Sequence, residues 1–185
     1  MNYHLQSTDE QLIEGCKARN RLAQKYLYQK YFGRLFGIAM RYTRGRDEAE
    51  DVLNAGFLKI FDKIDTYDGR GAFAGWMSRI VTYTAIDHAR SQKTYRETMD
   101  LNTERDQPIA SSALENLLAE DIYRLIQQLP DTPRAVFSMY VIDGFKHAEI
   151  AEKLEISAGT SKWYLNQARK ELQQMVKKQS LNLML

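Results

Sequence analysis

The stretch from residue 144 to residue 165, GFKHAEIAEKLEISAGTSKWYL, decides the class of fold. Apolar residues recur at helical spacing on both sides of Ser157, whose hydroxyl can cap a second helix. Ala151 supplies the small residue that is needed where this second helix crosses the first. The wedge between the two helices would be filled by Ile150, Leu154, Ile156 and Leu165. The pattern predicts a helix-turn-helix, with a plain helical hairpin as the alternative.

The second helix of this motif offers groups that bond to bases or phosphates. In a helix-turn-helix its N-terminal residues enter the major groove, which displays the donors and acceptors of each base pair. The candidate DNA contacts are Ser157, Thr160, Ser161, Lys162, Tyr164, Asn166, Gln167, Arg169 and Lys170. Glu155 and Ser161 depart from the common pattern, which has Gly and an aliphatic residue there. Trp163 has two interpretations: packing against the neighbouring helix, or contact with a thymine methyl group or a sugar.

The composition indicates a globular chain that is poor in helix breakers. Its 185 residues are 44% hydrophobic and 27% charged, and three Pro and ten Gly favour helices over turn-rich β-structure. One Cys excludes a disulfide framework, and the three scattered His suggest no metal site. No apolar run reaches ~18 residues and residues 1–20 lack a signal-peptide core, so we expect no membrane insertion and a cytoplasmic protein.

Helices account for the rest of the chain, and no strand is predicted. In the N-terminal half, helices are expected after a capping box at Ser7–Glu10, over 20–43, from Asp47 onward and over 72–93. In the C-terminal half, one helix is expected after a second capping box at Ser112–Glu115, and another from Pro133 onward with Thr132 as its N-cap. The last two helices are expected over 147–154 and 158–178. The fold class is therefore all-α, with two small helical domains at 1–95 and 112–185. A flexible linker at 96–111 joins them.

Local charge is more informative than the net charge of +2. Residues 1–97 carry a net charge of +4, residues 98–117 carry −3, and residues 160–178 carry +4. Two basic modules separated by an acidic linker are typical of a protein that meets a polyanion. The alternative is that the Lys and Arg residues only complement helix dipoles.

The C-terminal half resembles region 4 of bacterial RNA polymerase sigma factors of the extracytoplasmic-function group. The likeness is carried by Leu129-Pro130, Val136-Phe137, Asp143 to Phe145, Glu149 to Leu154, Gly159 to Lys162 and Ala168 to Leu172. The N-terminal half shows an independent resemblance to the same family. Region 2.2 is similar to the segments Asp47 to Val52 and Phe57 to Phe61. Regions 2.3 and 2.4 are similar to the segments Phe73 to Ile80 and Ala85 to Arg90. The two resemblances follow each other in the family's order.

The resemblance implies a promoter-specificity subunit that binds core RNA polymerase and promoter DNA. The second helix of the helix-turn-helix would read the −35 element. Region 2.2 would dock on polymerase through Asp47, Glu50, Asp51, Asn54, Lys59 and Asp62. Phe57, Ile60 and Phe61 on the same helix would either form an apolar ridge of this docking surface or belong to the core. For Phe61 the core is favoured. An inhibitory anti-sigma partner is common in this family, and no residue of the sequence identifies one.

The resemblance also implies that the N-terminal module opens the −10 element and holds a displaced base. The matching residues are Asp68, Gly69, Arg70, Arg79, Tyr83, Asp87 and Arg90. Tyr83 stands where many relatives have Asn. Trp76 could stack on a base, but its spacing from Phe73 and Ile80 favours core packing.

Two other classes of function remain open from the residues alone. A stand-alone regulator could bind an operator through the same helix-turn-helix, although the basic N-terminal module would then have no role. A helical interaction protein without DNA readout is disfavoured by Lys162, Arg169 and Lys170. We predict no enzyme, no cofactor and no small-molecule substrate, because the sequence contains no phosphate-binding loop and no spacing typical of a nucleophile with its base.

Overall fold

A computed structural model describes residues 3–99 and 123–182, with side chains over 3–92 and 123–178. These residues form helices and no strands, as predicted. The helices are α1 (Asp9–Lys17), α2 (Arg21–Met40), α3 (Arg46–Lys63), α4 (Phe73–Met99), α5 (helical at 123–127), α6 (Asp131–Phe137), α7 (His147–Leu154) and α8 (Ala158–Asn182). A 3-10 helix at Ile64–Thr66 and a π-helix at Ser138–Ile142 complete the set.

Two compact units contain these elements. The first consists of residues 3–40 and 47–85, and the second consists of residues 41–46 with the described residues from 86 onward. Helix α4 continues to Met99, so the first four residues of the predicted linker are helical. The remaining linker residues, 100–111, and the predicted capping box at 112–115 lie outside the described residues.

Helix α1 begins one residue later than the sequence suggests. Thr8 is its N-cap: the backbone N–H of Gln11 donates to Thr8 Oγ1 at 3.3 Å, and the N–H of Thr8 donates to Gln11 Oε1 at 3.1 Å. The predicted capping pair of Ser7 and Glu10 is therefore wrong. Ser7 is buried, and its hydroxyl accepts the N–H of His4 at 3.0 Å, which turns the chain before the helix.

The apolar faces of α1 to α4 form the core of the first unit. Its fully buried large side chains include Leu12, Leu27, Leu35, Leu53, Phe57, Ile60 and Met77. Each contributes about 1.5–3 kcal/mol through burial. Phe57 and Ile60 are thus core, which decides between the two alternatives left open by the sequence. Phe61, for which the core was favoured, is half-buried against the Phe57 ring at a centroid distance of 5.8 Å.

Gly56 allows α3 to pass close to α4. A Cβ at this position would lie 2.9 Å from Val81 Cγ2, which is closer than a methyl group can approach without displacement. Glycine in the middle of a helix costs about 1 kcal/mol relative to alanine. The close approach of the two helices explains why the chain accepts that cost.

The second unit corrects one predicted helix start. Helix α6 begins at Asp131, so Thr132 is not its N-cap and Pro133 is not its first residue. The Asp131 carboxylate accepts a hydrogen bond from Arg134 Nη2 at 3.1 Å, and the N–H of Arg134 donates to the Pro130 carbonyl at 2.9 Å. The first turn is stabilised by this buried arginine rather than by a threonine hydroxyl.

Candidate nucleic-acid interface

The turn between α7 and α8 confirms the predicted helix-turn-helix. Helix α7 ends at Leu154, and its C-cap Glu155 adopts a left-handed conformation with φ of 54°. The N–H of Ile156 donates to the Ala151 carbonyl at 3.0 Å. Glycine adopts this conformation without strain, so Glu155 bears a cost that the common pattern avoids. Ile150 and Leu165 are buried in the wedge, as expected.

Ser157 caps α8, as the sequence predicts. Its Oγ accepts the N–H of Thr160 at 2.9 Å and lies 2.8 Å from Thr160 Oγ1. The two hydroxyls therefore form one polar group at the start of the helix. Ser157 is exposed and Thr160 is half-buried.

Ser161 does not belong to the exposed face on which the DNA contacts are expected. Its side chain is fully buried, and its Oγ lies 2.9 Å from His147 Nδ1 on α7. The serine thus replaces an aliphatic side chain in the wedge while its hydroxyl is satisfied by the imidazole. Burial lowers the pKa of His147, and the nearby charges of Lys162 and Arg169 lower it further.

The remaining candidates on α8 divide into exposed and half-buried side chains. Lys162, Asn166, Arg169 and Lys170 are exposed, whereas Tyr164 and Gln167 are half-buried. Gln167 Nε2 donates to Glu171 Oε1 at 2.9 Å. Since residues 158–170 contain no acidic side chain, the exposed charges of this segment are all positive. Such a face suits a phosphate backbone.

Trp163 is 60% exposed, which argues against its packing on a neighbouring helix. Its ring meets the Tyr164 ring edge-on, with centroids 5.0 Å apart. The sequence allowed two interpretations of this residue, and the structure places it on the solvent side of α8.

The loop before α4 holds three of the residues expected at the −10 element. Gly69 and Gly71 have φ of 78° and 80°, values that favour glycine. The Tyr67 hydroxyl donates to the Gly71 carbonyl at 2.8 Å, and the N–H of Arg70 donates to Asp68 Oδ1 at 2.9 Å. These bonds fix a tight loop whose charged side chains are exposed.

An aromatic cluster lies beside this loop. Trp76 stacks on Phe73 at a centroid distance of 5.7 Å and contacts Tyr67 at 5.5 Å. Trp76 therefore packs as expected, although it remains half-buried rather than fully buried. The cluster joins the loop to the first turn of α4.

Helix α4 carries the other four −10 candidates at intervals of three and four residues. Arg79 and Asp87 are exposed, and Tyr83 is half-buried. Arg90, in the second unit, pairs with Glu155 at 3.1 Å and lies 4.0 Å from Asp87. Arg90 is therefore engaged in ion pairs within the protein.

The six residues expected to meet polymerase lie on α3. Asp47, Asp51, Asn54, Lys59 and Asp62 are exposed, and Glu50 is half-buried. Asn54 Oδ1 accepts the Tyr28 hydroxyl at 3.1 Å. The sequence reasoning missed Leu58, which is 70% exposed in the middle of this polar face. Its position one turn from both Asn54 and Asp62 could have identified it.

The described residues, 3–99 and 123–182, contain neither a candidate metal site nor a candidate membrane span. No group of three or more His, Cys, Asp or Glu side chains there could hold a metal ion. No helix there combines the length and the apolar character that a membrane span requires.

Comparison with known proteins identifies both halves of the chain. Residues 27–95 match sigma-70 region 2, and residues 119–172 match sigma-70 region 4. The chain belongs to the sigma-70 family. The RNA polymerase sigma-H factor of Pseudomonas aeruginosa is 25% identical to this sigma factor over 179 residues, covering 90% of this chain and 93% of the relative. The ECF RNA polymerase sigma-E factor of Escherichia coli K12 is 26% identical over 183 residues, covering 92% and 95%.

A solved structure shares the fold. The sigma factor RpoE of Bartonella quintana, crystallised with the anti-sigma factor NepR, aligns with a TM-score of 0.55 at 20% identity and covers 83% of this chain and 96% of that one. The sigma factor described here falls in the extracytoplasmic-function group, and it is a non-enzymatic initiation factor with promoter specificity. The alternative function, a stand-alone regulator, is therefore wrong, because it would give no role to the residues that match region 2.

Proposed function

We propose that the exposed face of α8 reads the −35 element when this sigma factor is bound to core RNA polymerase. The observation that carries the proposal is a capped helix, held by the α7–α8 turn, whose exposed charges over residues 158–170 are all basic. The contacts would come from Ser157, Thr160, Lys162, Tyr164, Asn166, Gln167, Arg169 and Lys170. Basic groups would bind phosphates, and amides and hydroxyls would bond to base edges.

The loop at 67–72 and the outer face of α4 form the proposed −10 site. The loop would receive a displaced base through Asp68, Gly69 and Arg70, with Arg79 and Tyr83 following on the helix. Their continuity along one element supports this assignment. Unpairing a base costs a few kcal/mol, which contacts in this loop must offset. Asp87 and Arg90 follow Arg79 and Tyr83 along α4 at intervals of three and four residues. Arg90 would have to break its ion pair with Glu155 to reach DNA.

The polar face of α3 is the proposed docking surface for polymerase. Asp47, Glu50, Asp51, Asn54, Lys59 and Asp62 surround Leu58, so the surface combines charge with one exposed apolar anchor. Protein interfaces commonly have this arrangement of an apolar centre and a polar rim. We place the corresponding functional domains at 1–95 and 112–185, acting in the cytoplasm, where RNA polymerase works. The NepR complex of the Bartonella protein supports an anti-sigma protein as a further class of partner.

Run-off transcription with purified core polymerase tests the proposal directly. On a randomised promoter library, the full chain should enrich promoters that share two separated elements, which core polymerase alone does not. Arg79→Ala and Tyr83→Ala should leave closed-complex binding intact but reduce permanganate reactivity of the −10 thymines. Ser91→Ala, at an exposed position on the same helix, is the control. Enrichment equal to that of core polymerase alone would refute the function, and unchanged permanganate reactivity would refute the −10 assignment.

A further inference from the structure

Trp163 lies on the outermost ridge of α8. The buried residues Ser161, Leu165 and Ala168 define the inner face of this helix. At about 100° per residue, the side directly opposite is occupied by one row of exposed residues. These are Gly159, Trp163, Asn166 and Lys170. The indole is the one large apolar group in that row.

The space in front of the indole is open. Side chains on a helix lean toward its N-terminus, so Trp163 leans over Gly159, one turn earlier. A Cβ built at Gly159 would lie 3.5 Å from Ser157 Oγ and would meet no nearer side chain in the described part of the chain. Tyr164 supports the indole edge-on from the side. The ring therefore faces solvent, where a partner can reach it.

We propose that Trp163 is a specificity-determining residue that packs its indole against the 5-methyl group of a thymine in the −35 element. The inference rests on the proposed role of α8 and adds the base that one residue reads. The thymine methyl is the apolar group that distinguishes this base in the major groove. An exposed indole between basic and amide side chains matches it, because Lys162 and Lys170 can hold phosphates while the ring contacts the groove floor.

Replacement of thymine by deoxyuridine removes only this methyl group. In run-off transcription with core polymerase, each thymine of the −35 element of a selected promoter is replaced in turn by deoxyuridine. For the wild-type chain we expect one replacement to lower initiation about fourfold, the factor that corresponds to ~0.8 kcal/mol for one buried methyl group. For Trp163→Ala the same replacement should have no effect.

Val176→Ala serves as the matched control, since Val176 is an exposed apolar residue of the same helix, ~20 Å further along it. This variant should respond to deoxyuridine as the wild type does, and circular dichroism should show that both variants are folded. If Trp163→Ala lowered initiation equally on all templates, or still responded to deoxyuridine at that position, base readout by Trp163 would be refuted. Initiation by the wild type that equals that of core polymerase alone would instead refute the function of α8 itself.

Discussion

Helices α3 and α8 both turn a polar face to solvent, and each face carries one large apolar side chain. On α3 this is Leu58, 70% exposed, with Asn54 and Asp62 one turn away on either side. On α8 it is Trp163, 60% exposed, with Asn166 on the following turn. The exposed apolar side chains of α3 and α8 are thus similar in exposure, although the polar residues around them differ.

Charge distinguishes the two faces. The α3 face includes Asp47, Asp51 and Asp62, whereas the exposed charges of α8 over 158–170 are Lys162, Arg169 and Lys170. A carboxylate-rich face is repelled by a phosphate backbone, so α3 suits a protein partner and α8 suits DNA. The charges around an exposed apolar residue thus indicate which kind of partner it would meet.

Leu58→Asp should have the largest effect. Placing a carboxylate at the centre of an interface removes an apolar anchor, and such anchors contribute about 2 kcal/mol or more. We therefore expect core polymerase binding to weaken by about 30-fold or more. Fluorescence anisotropy with labelled chain measures this affinity.

Leu22→Asp, at an exposed leucine on α2, is the control for that variant. It should leave the affinity for polymerase close to that of the wild type. An equal loss of affinity for core polymerase in both variants would show that any new carboxylate on this unit impairs binding. The proposal that α3 is the docking surface would then be refuted.

Lys162→Ala and Arg169→Ala should weaken promoter binding by the holoenzyme. Removing one phosphate-binding side chain should flatten the slope of log affinity against log salt by about 0.9. Lys177→Ala, two turns beyond Arg169 on α8, should leave the slope unchanged. If the slope of log affinity against log salt were the same in all three variants and in the wild type, the proposal that α8 contacts phosphates would be refuted.

Glu155→Gly should stabilise the helix-turn-helix. A left-handed conformation costs a residue other than glycine about 1–2 kcal/mol. The greater freedom of unfolded glycine and the removal of the exposed ion pair with Arg90 offset part of this. We expect a net gain of about 0.5 kcal/mol in urea unfolding. Glu155→Gln, which keeps the strain, should show no gain, and an equal gain in both would contradict the explanation.

The smallest expected effect concerns pH. Burial lowers the pKa of His147, so its neutral form is favoured in the folded state, and the stabilisation is present in full above the unfolded pKa of 6.5. It is lost as the pH falls from there through the lowered folded pKa, because the unfolded chain then binds the proton more readily. Lys162→Ala should raise the pKa of His147 in an NMR titration, and Lys177→Ala should not. No difference between them would show that Lys162 is too far from the ring to act.

Much of the fold followed from helical spacing alone. The bounds of α7, the cap at Ser157 and the burial of Ile150 and Leu165 between the two helices are as the sequence indicates. Starts of helices were less predictable, because adjacent residues such as Ser7 and Thr8 both offer a hydroxyl. Which one caps the helix depends on which is buried, and that is settled by tertiary packing.

The site was predicted less completely than the fold, for two physical reasons. Ser161 was placed on the DNA face because it is polar, although its spacing from Leu165 and Ala168 assigns it to the inner face. Leu58 was missed because an apolar residue is ordinarily assigned to the core. In both cases the position on the helix, rather than the type of side chain, determines exposure.

The contact between Gly56 and Val81 has a mechanical consequence. It joins the helix proposed to grip polymerase to the helix proposed to separate the DNA strands, without room for even one added carbon atom. The two helices cannot approach each other more closely at this point. A displacement of α3 toward α4 by polymerase would therefore press on Val81, and through it on the helix that carries the strand-separating surface.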